Sequence, residues 1–279
     1  MSDKKIKIGI IGYGNMGKAI AERIKSEYAV SVFDKDRAKI NNLFGIDAFD
    51  DVVTLVKNNE VIILAVKPQD FDAVLSEIKD YTKDRLIVSI AAGITTKYIE
   101  NILPNPRVIR AMPNVGAKIG KSVTCICKGS FAGESDMVIA KDIFKQIGEI
   151  QELPENMMNA ATAISGSGPG YYFFAVALKR HEFNFDHKRF HIDFIAELRA
   201  AAETLGFDAK TALFLANWTV VYSDLLLKET KLSPEELRNQ VTSKGGTTEA
   251  ALEVLYKGGS LADAVKAAVK RAEDLSSRI

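Results

Sequence analysis

Two short glycine-bearing segments contain the residues whose types and spacing point to chemistry. The first reads Gly9-Ile-Ile-Gly12-Tyr-Gly14-Asn15-Met16-Gly17-Lys-Ala-Ile and closes an apolar, β-branched stretch near the N-terminus. Gly12, Gly14 and Gly17 form G-x-G-x-x-G between a strand and an Ala-containing helical pattern, the setting in which that otherwise weak motif gains meaning. Gly12 permits the tight turn, Gly14 lets a pyrophosphate approach the backbone, and Gly17 lets helix and strand pack closely. The following helix start supplies N–H groups and partial positive charge to phosphate. Asp34 stands 22 residues after Gly12, at the end of the next apolar run. An acidic residue there bonds adenosine ribose hydroxyls and disfavours a 2′-phosphate. Lys35 and Arg37 follow it and could neutralise that phosphate, so the cofactor reads as NADH or NADPH. The second segment reads Val241-Thr-Ser243-Lys244-Gly245-Gly246-Thr247-Thr248-Glu-Ala-Ala-Leu252. Glycines followed by two threonines at a helix start make an anion trap of free N–H groups, hydroxyls and a positive dipole end, suited to a substrate carboxylate. A plain helix cap by Thr247 or Thr248 is the structural alternative.

Other candidates lie at the ends of later apolar runs: Ala65-Val66-Lys67-Pro68, Ala91-Ala92-Gly93 and Arg110-Ala-Met-Pro-Asn114. In an open α/β sheet, ligands bind beyond the carboxyl ends of the strands. The cofactor site is therefore expected to draw on Gly12, Gly14, Asn15, Met16, Gly17, Asp34, Lys35, Val66, Lys67, Pro68, Ala91, Ala92, Gly93 and Asn114. Lys67 suits a cofactor phosphate or ribose, and equally an ordinary surface position. Ile164-Ser165-Gly-Ser167-Gly-Pro169 allows close helix approach, with structural and site-lining roles both open. Cys125 and Cys127 fall in a β-branched run, where they read as small packing residues on one face of a strand. Two ligands do not make a zinc site, and no metal is expected.

The elements that must position these groups follow from periodicity. Short β-branched runs at 6–11, 30–34, 61–66, 86–90 and 108–110 alternate with helical patterns at 16–26, 37–43, 51–57, 71–78 and 97–103. Near-continuous apolar strands separated by helices predict a parallel, doubly wound sheet. Strands at 122–127 and 149–153 flank a helix at 134–147, and after Pro154 the pattern is helical throughout: 155–164, 171–179, 194–205, 209–230, 234–240, 248–256 and 261–276. The expected fold is α/β: an N-terminal Rossmann-like dinucleotide-binding domain over 1–154 and an all-helical C-terminal domain over 155–279. The chain has 279 residues, 37 Lys plus Arg, 36 Asp plus Glu and a net charge of +1. That balance offers no basic field for nucleic acid or an anionic membrane. No segment reads as a signal peptide or a membrane span, and two cysteines argue against a disulfide-stapled exported protein, so a cytoplasmic location is expected.

Taken in order, Ile-Gly-Tyr-Gly-Asn-Met-Gly, Ala-Val-Lys-Pro, Ala-Ala-Gly, Arg-Ala-Met-Pro-Asn, Ser-Gly-Ser-Gly-Pro and Val-Thr-Ser-Lys-Gly-Gly-Thr-Thr resemble the pyrroline-5-carboxylate reductase family along nearly the whole chain. The last motif is the most diagnostic. The resemblance implies an NAD(P)H-dependent reduction of 1-pyrroline-5-carboxylate to proline, the last step of proline biosynthesis. It implies a helical domain that dimerises, with larger assemblies built from dimers. It assigns carboxylate binding to Ser243, Gly245, Gly246, Thr247 and Thr248, the hydroxyl near the ring nitrogen to Thr248 as the catalytic group, and a place at the pocket edge to Glu155. Two departures stand out. Lys244 replaces a usual proline, and about 19 extra residues near 176–194 hold all 3 histidines, His181, His187 and His191. The insertion reads as a polar excursion or altered subunit contact, with a metal site as the lesser alternative. Two other functions fit parts of the pattern: a β-hydroxyacid-type dehydrogenase with Lys179 as acid/base, and a non-catalytic NAD(P)H-binding protein.

Overall fold

The computed structural model describes residues 5–180 and 185–277. Its chain divides into two compact units: residues 1–111 with 126–155, and residues 112–125 with 156–278.

The sheet contains strands β1 (Lys7–Ile11), β2 (Ala29–Phe33), β3 (Asp47–Ala48), β4 (Val61–Leu64), β5 (Leu86–Ser89), β6 (Arg107–Met112), β7 (Ser122–Lys128) and β8 (Gly148–Glu152), all counted with the first unit except Met112 and residues 122–125. Their order is β3-β2-β1-β4-β5-β6-β7-β8, and the pairs from β3 through to β6 are parallel. The order reverses beside β1, the doubly wound arrangement in which a crevice opens at the strands' carboxyl ends. Helices α1 (Asn15–Ile24), α2 (Val52–Asn58), α3 (Phe71–Ile78), α4 (Thr96–Ile102) and α5 (Glu134–Lys145) complete the unit. Strands β4 and β5 are buried at every residue, as a sheet covered on both faces demands. Ile11, Leu55, Leu64, Phe71 and Ile87 belong to one buried cluster that fixes α2 and α3 against the sheet. Asp51 starts α2 by accepting a hydrogen bond from the Thr54 N–H at 2.7 Å.

The periodicity departs from the structure at 37–43, where the expected helix shrinks to a single 3₁₀ turn, Arg37–Ile40. Asn42 takes a φ of +57°, which no helix tolerates, and the chain passes instead into the two-residue edge strand β3. Two residues give no readable alternation, so β3 was invisible in the sequence.

The second unit contains α6 (Met158–Ala161), α7 (Gly168–Lys179), α8 (His187–Thr204), α9 (Ala209–Thr230), α10 (Pro234–Val241), α11 (Thr247–Tyr256) and α12 (Leu261–Ser277). Ser233 and Glu236 cap α10 reciprocally, with Pro234 in its first turn, as its sequence predicts. The single helix expected over 155–164 is broken. A 3₁₀ turn at Glu155–Met157 precedes α6, and a π turn over Thr162–Gly166 follows it. The hydroxyls of Thr162 and Ser165 donate back to the carbonyls of Met158 and Ala161, an interaction that bends helices. The Ser167 N–H then reaches the Thr162 carbonyl, closing the wider ring. The helix expected to begin at Phe194 begins at His187, capped by Asp186, so the second half of the insertion is helical. Phe190 and Phe194 pack against the buried ring of Tyr172. His187 and His191 share a face of α8, with ring centroids 5.8 Å apart; His181 and Glu182 lie outside the described residues. Among the described residues no group of three or more His, Cys, Asp or Glu side chains is placed to hold a metal ion, and no helix is long and apolar enough to cross a membrane.

Candidate functional site

In the first unit, the turn between β1 and α1 is shaped by steric limits at its glycines. Gly12 has a φ of +102°, and a Cβ there would lie 2.7 Å from the Ala65 carbonyl oxygen. A Cβ on Gly17 would lie 2.0 Å from the Gly12 carbonyl oxygen, so only glycine lets α1 sit this close to the turn. Gly14 is different: a Cβ there would meet nothing within 4 Å. Gly14 is also the N-cap of α1, provides no side-chain cap, and is followed by no acidic residue in the first turn. By helix geometry the N–H groups of Asn15, Met16 and Gly17 lack intrahelical acceptors, so this end is left positive and open.

Beside it lies a cavity of about 440 Å³ lined by Gly12, Gly14, Asp34, Lys35, Val66 and Lys67, together with Lys39 and Asp70. It sits at the carboxyl ends of β1, β2 and β4, which places six of the expected cofactor residues around one space. Asn15, Met16, Gly17, Pro68, Ala91, Ala92 and Gly93 do not line it. A dinucleotide fits this unit on its own terms: the open approach at Gly14, the uncapped helix start and the acidic end of β2 match its pyrophosphate and ribose.

Asp34 is 6% exposed and holds the turn together. Its carboxylate accepts the N–H of Tyr13 at 2.7 Å and of Asp36 at 2.8 Å, and pairs with the Lys39 ammonium at 3.2 Å. Burial pushes its pKa up, but those N–H groups and Lys39 outweigh burial and hold it below the usual carboxylate range. Lys35 is paired with Asp70 at 2.9 Å on the cavity wall. Arg37 is turned away, donating to the Phe49 carbonyl at 2.7 Å and pairing with Asp50. Of the cations expected near a 2′-phosphate, Lys35 therefore lines the cavity, joined by Lys39, which sequence spacing did not single out. Tyr13 was missed for a different reason: its contribution is a backbone N–H, available to any residue type.

Glu155 has a definite partner within the same unit. Its Oε1 lies 2.6 Å from Nη1 of Arg110, a side chain only 1% exposed. Its Oε2 accepts from the Thr96 N–H at 3.4 Å and the Cys127 thiol at 3.3 Å. Burial and the Glu155 charge push the Cys127 thiol well above its ordinary value, which keeps it a neutral donor. The partnership spans 45 residues, and nothing local in the sequence could announce it.

In the second unit, Asn114 is 3% exposed and committed to local order. Its amide donates to the Ser165 carbonyl at 3.0 Å, and its Oδ1 accepts from the N–H groups of Gly116 and Val123. Cys125 is buried beside Ser165, its thiol pushed up to about 12 by burial.

The turn before α11 is braced from two sides. Gly245, at φ +71°, offers its N–H to Glu249 Oε2 at 2.7 Å and its carbonyl to Arg271 Nε at 2.6 Å. Gly246 is the N-cap, and its N–H closes onto the Ser243 carbonyl. A Cβ on Gly246 would come within 2.3 Å of Ser243 Oγ. The N–H groups of Thr247, Thr248 and Glu249 consequently stand without intrahelical acceptors. Ser243 and Lys244 are exposed, whereas Thr247 and Thr248 are buried. The two threonine hydroxyls converge on Ser167, at 2.8 and 3.1 Å. Glu249 and Arg271 were not singled out from sequence, and Ser167 was named only with its role open. The Ser-Gly-Ser-Gly-Pro motif was the one available signal, and it left Ser167's role open.

These features define a dinucleotide-dependent oxidoreductase with a Rossmann-type first unit and a helical second unit. Residues 7–93 match the family described as NADP oxidoreductase, coenzyme F420-dependent, and residues 190–277 match the pyrroline-5-carboxylate reductase dimerisation family. The pyrroline-5-carboxylate reductase of Synechocystis is 34% identical over 98% of this chain and 99% of its own length. That of Methanosarcina acetivorans is 32% identical over 96% of each. Among solved structures, a pyrroline-5-carboxylate reductase from Coxiella burnetii aligns with a TM-score of 0.65 at 30% identity, covering 98% of this chain and 99% of that one. The Plasmodium falciparum enzyme, solved with NADP bound, aligns at 0.63 and 25% identity, covering 98% and 99%. The chain belongs to the pyrroline-5-carboxylate reductase family.

Proposed function

We propose that this chain reduces 1-pyrroline-5-carboxylate to proline with NAD(P)H, holding the cofactor at the start of α1 and the substrate carboxylate at the start of α11. The activity follows from family membership, and the uncapped start of α11 is the observation that carries the substrate assignment. When bound, the cofactor supplies the hydride that adds to the imine carbon. Asn15, Met16 and Gly17 give their N–H groups to its pyrophosphate, Asp34 accepts from the adenosine ribose, and Lys35 and Lys67 balance phosphate charge. Val66, Pro68, Ala91, Ala92 and Gly93 border the remainder.

The N–H groups of Thr247 and Thr248 and the hydroxyl of Ser243 receive the substrate carboxylate. Gly245 and Gly246 shape the turn that aims them. Thr248 bonds the ring nitrogen and orients its proton. An imine nitrogen is basic enough to arrive protonated, so the site works without a histidine or a strong side-chain acid. Glu155 contributes through its hold on Arg110. The dinucleotide-binding role belongs to residues 1–154, and residues 155–279 bind substrate and join two copies into a homodimer, with any larger assembly built from dimers. We place the enzyme in the cytoplasm. A hydroxyacid dehydrogenase built on Lys179 is not favoured, since that ammonium lies 5.7 Å over the Phe190 ring.

Steady-state oxidation of NADH and NADPH with pyrroline-5-carboxylate tests the activity, and cofactor binding without turnover rejects it. Thr248→Val keeps the side-chain volume and should lower kcat about 10- to 150-fold, the value of one hydrogen bond to a charged group. A near-normal kcat removes Thr248 from the chemistry.

A further inference from the structure

We infer that Ser167 and Gly170 are positioning residues that fix the Thr248 hydroxyl as a hydrogen-bond acceptor toward the substrate nitrogen, so that the site selects the protonated imine; the inference rests on the proposed role of Thr248. Thr248 is 5% exposed and Ser167 is fully buried. The Thr248 hydroxyl donates to Ser167 Oγ at 3.1 Å, and Thr247 Oγ1 lies 2.8 Å from the same oxygen. The Thr248 methyl occupies a notch that exists because residue 170 has no side chain: a Cβ on Gly170 would lie 2.5 Å from Thr248 Cγ2 and 3.4 Å from Val241 Cγ2. In a helix, threonine divides between two χ1 wells. Seating the methyl against Gly170 and the hydroxyl against Ser167 leaves one.

The chemical consequence follows from counting protons. A hydroxyl has one hydrogen and two lone pairs. With the hydrogen directed at Ser167, Thr248 presents lone pairs elsewhere. A neutral imine nitrogen in the ring plane also presents only a lone pair, and the two repel. An iminium nitrogen presents an N–H that Thr248 accepts. The protonated form is the better electrophile, so the orientation favours the species that reacts. Hydride adds to the ring carbon, the C=N π pair becomes the nitrogen lone pair, the N–H stays in place, and the amine takes its second proton from water. Thr248 gains and loses no proton in this sequence. Ser167 acts by keeping the Thr248 hydrogen out of the substrate's way.

A double-mutant cycle on the full-length enzyme tests this, with kcat and KM for pyrroline-5-carboxylate followed across pH in Ser167→Ala, Thr248→Val and the double variant. Ser167→Ala should lower kcat about tenfold above the pH at which the free imine loses its proton, the loss of one orienting hydrogen bond. The penalty should shrink at lower pH, where the substrate arrives protonated in any case, and NADPH affinity should be unchanged. In the Thr248→Val background the same change should cost less than about twofold, because the two residues act as one unit. Wild-type kcat and pH profile in Ser167→Ala overturn the inference, as does a tenfold penalty that persists in the Thr248→Val background. An impaired Thr248→Val beside a normal Ser167→Ala rejects the inference alone, whereas a normal Thr248→Val rejects the reading beneath it. Ser167→Cys, close in volume and a weak hydrogen-bonding partner, bears the same expectations if the alanine variant does not fold.

Discussion

Replacing Gly14 with alanine separates binding from folding at the start of α1. The residue lies at φ −77° and ψ −167°, which alanine adopts without strain, and its new Cβ would meet nothing within 4 Å. A glycine-to-alanine change at a compatible position stabilises by about 0.4–1 kcal/mol, through the unfolded chain. The thermal midpoint of the free protein should therefore hold or rise. The methyl would stand where the open approach to the helix N–H groups lies, and would keep a phosphate from reaching them. Losing one hydrogen bond to a charged group costs about 1.5–3 kcal/mol, roughly a 10- to 150-fold weaker dissociation constant. Fluorescence titration of NADPH measures that loss, and thermal unfolding of the same preparation measures the stability. Gly17→Ala is the control of opposite sign: its Cβ would lie 2.0 Å from a backbone oxygen, so α1 must move and stability must fall. Unchanged NADPH affinity in Gly14→Ala would show that the pyrophosphate does not cross this residue. A parallel fall of stability and affinity would show that the space beside it is needed by the protein itself.

Three further outcomes follow from the charges of the first unit. Asp34→Ser removes the carboxylate that opposes a 2′-phosphate while leaving Lys35 and Lys39 at the cavity; the ratio of kcat/KM for NADPH over NADH should rise about tenfold, the value of one hydrogen-bonded charge contact, and an unchanged ratio rejects that role. Because the folded pKa of Asp34 is depressed, its contribution to stability is complete above its unfolded value of about 3.9 and is lost as pH falls through the lower folded value, so acid unfolding of the serine variant should lack that component. For the Arg110–Glu155 pair the cost should be unequal: Arg110 is 1% and Glu155 31% exposed. Glu155→Gln removes a negative charge held 2.6 Å from a guanidinium that is almost wholly buried and should cost about 3 kcal/mol in urea unfolding, whereas Arg110→Met leaves a carboxylate that water can reach and should cost less; equal losses would show that burial does not set the energetics of this pair.

Local periodicity made most elements legible because β1, β2, β4, β5 and β6 each bury an apolar set in the sheet. Val61–Leu64 and Leu86–Ser89 are buried at every position, and such runs admit few other readings. Glycines with steric reasons were legible as well, since Gly12 and Gly17 stand at fixed offsets from a strand end. Local cues failed where a side-chain hydroxyl or an irregular φ overrode them. Asn42 ended a helical pattern early, and the back-bonding of Thr162 and Ser165 turned one expected helix into three pieces. Within the site, residue types were readable but partnerships were not. Glu155 was marked only through the family resemblance, and its pairing with Arg110 depends on chain segments 45 residues apart. Ser167 and Thr248 meet across 81 residues. The insertion was readable as a departure, but its helical second half depended on Asp186 as a cap and on Tyr172 as a packing partner.

The two helix starts, alike in sequence style, differ in charge in a way that suits two different anions. The first turn of α1 contains no acidic residue of its own, so no side chain of the helix start offsets the partial positive charge of its N–H groups. A pyrophosphate is a multiply charged ligand and draws on all of it. The first turn of α11 contains Glu249, whose carboxylate is spent on the Gly245 N–H, while Arg271 holds the carbonyl of the same residue. That arrangement gives up part of the field and one of the N–H donors, and in exchange it pins a glycine at φ +71° in a turn that would otherwise be loose. A substrate with a single carboxylate needs less field than a pyrophosphate, but its ring carbon must be placed closely for hydride transfer, since a misplacement of about 1 Å can cost roughly a hundredfold in rate. Under the proposed roles, the physics at α1 favours binding strength and at α11 position, and the proposed action of the Ser167–Thr248 contact extends that same emphasis from the carboxylate to the nitrogen.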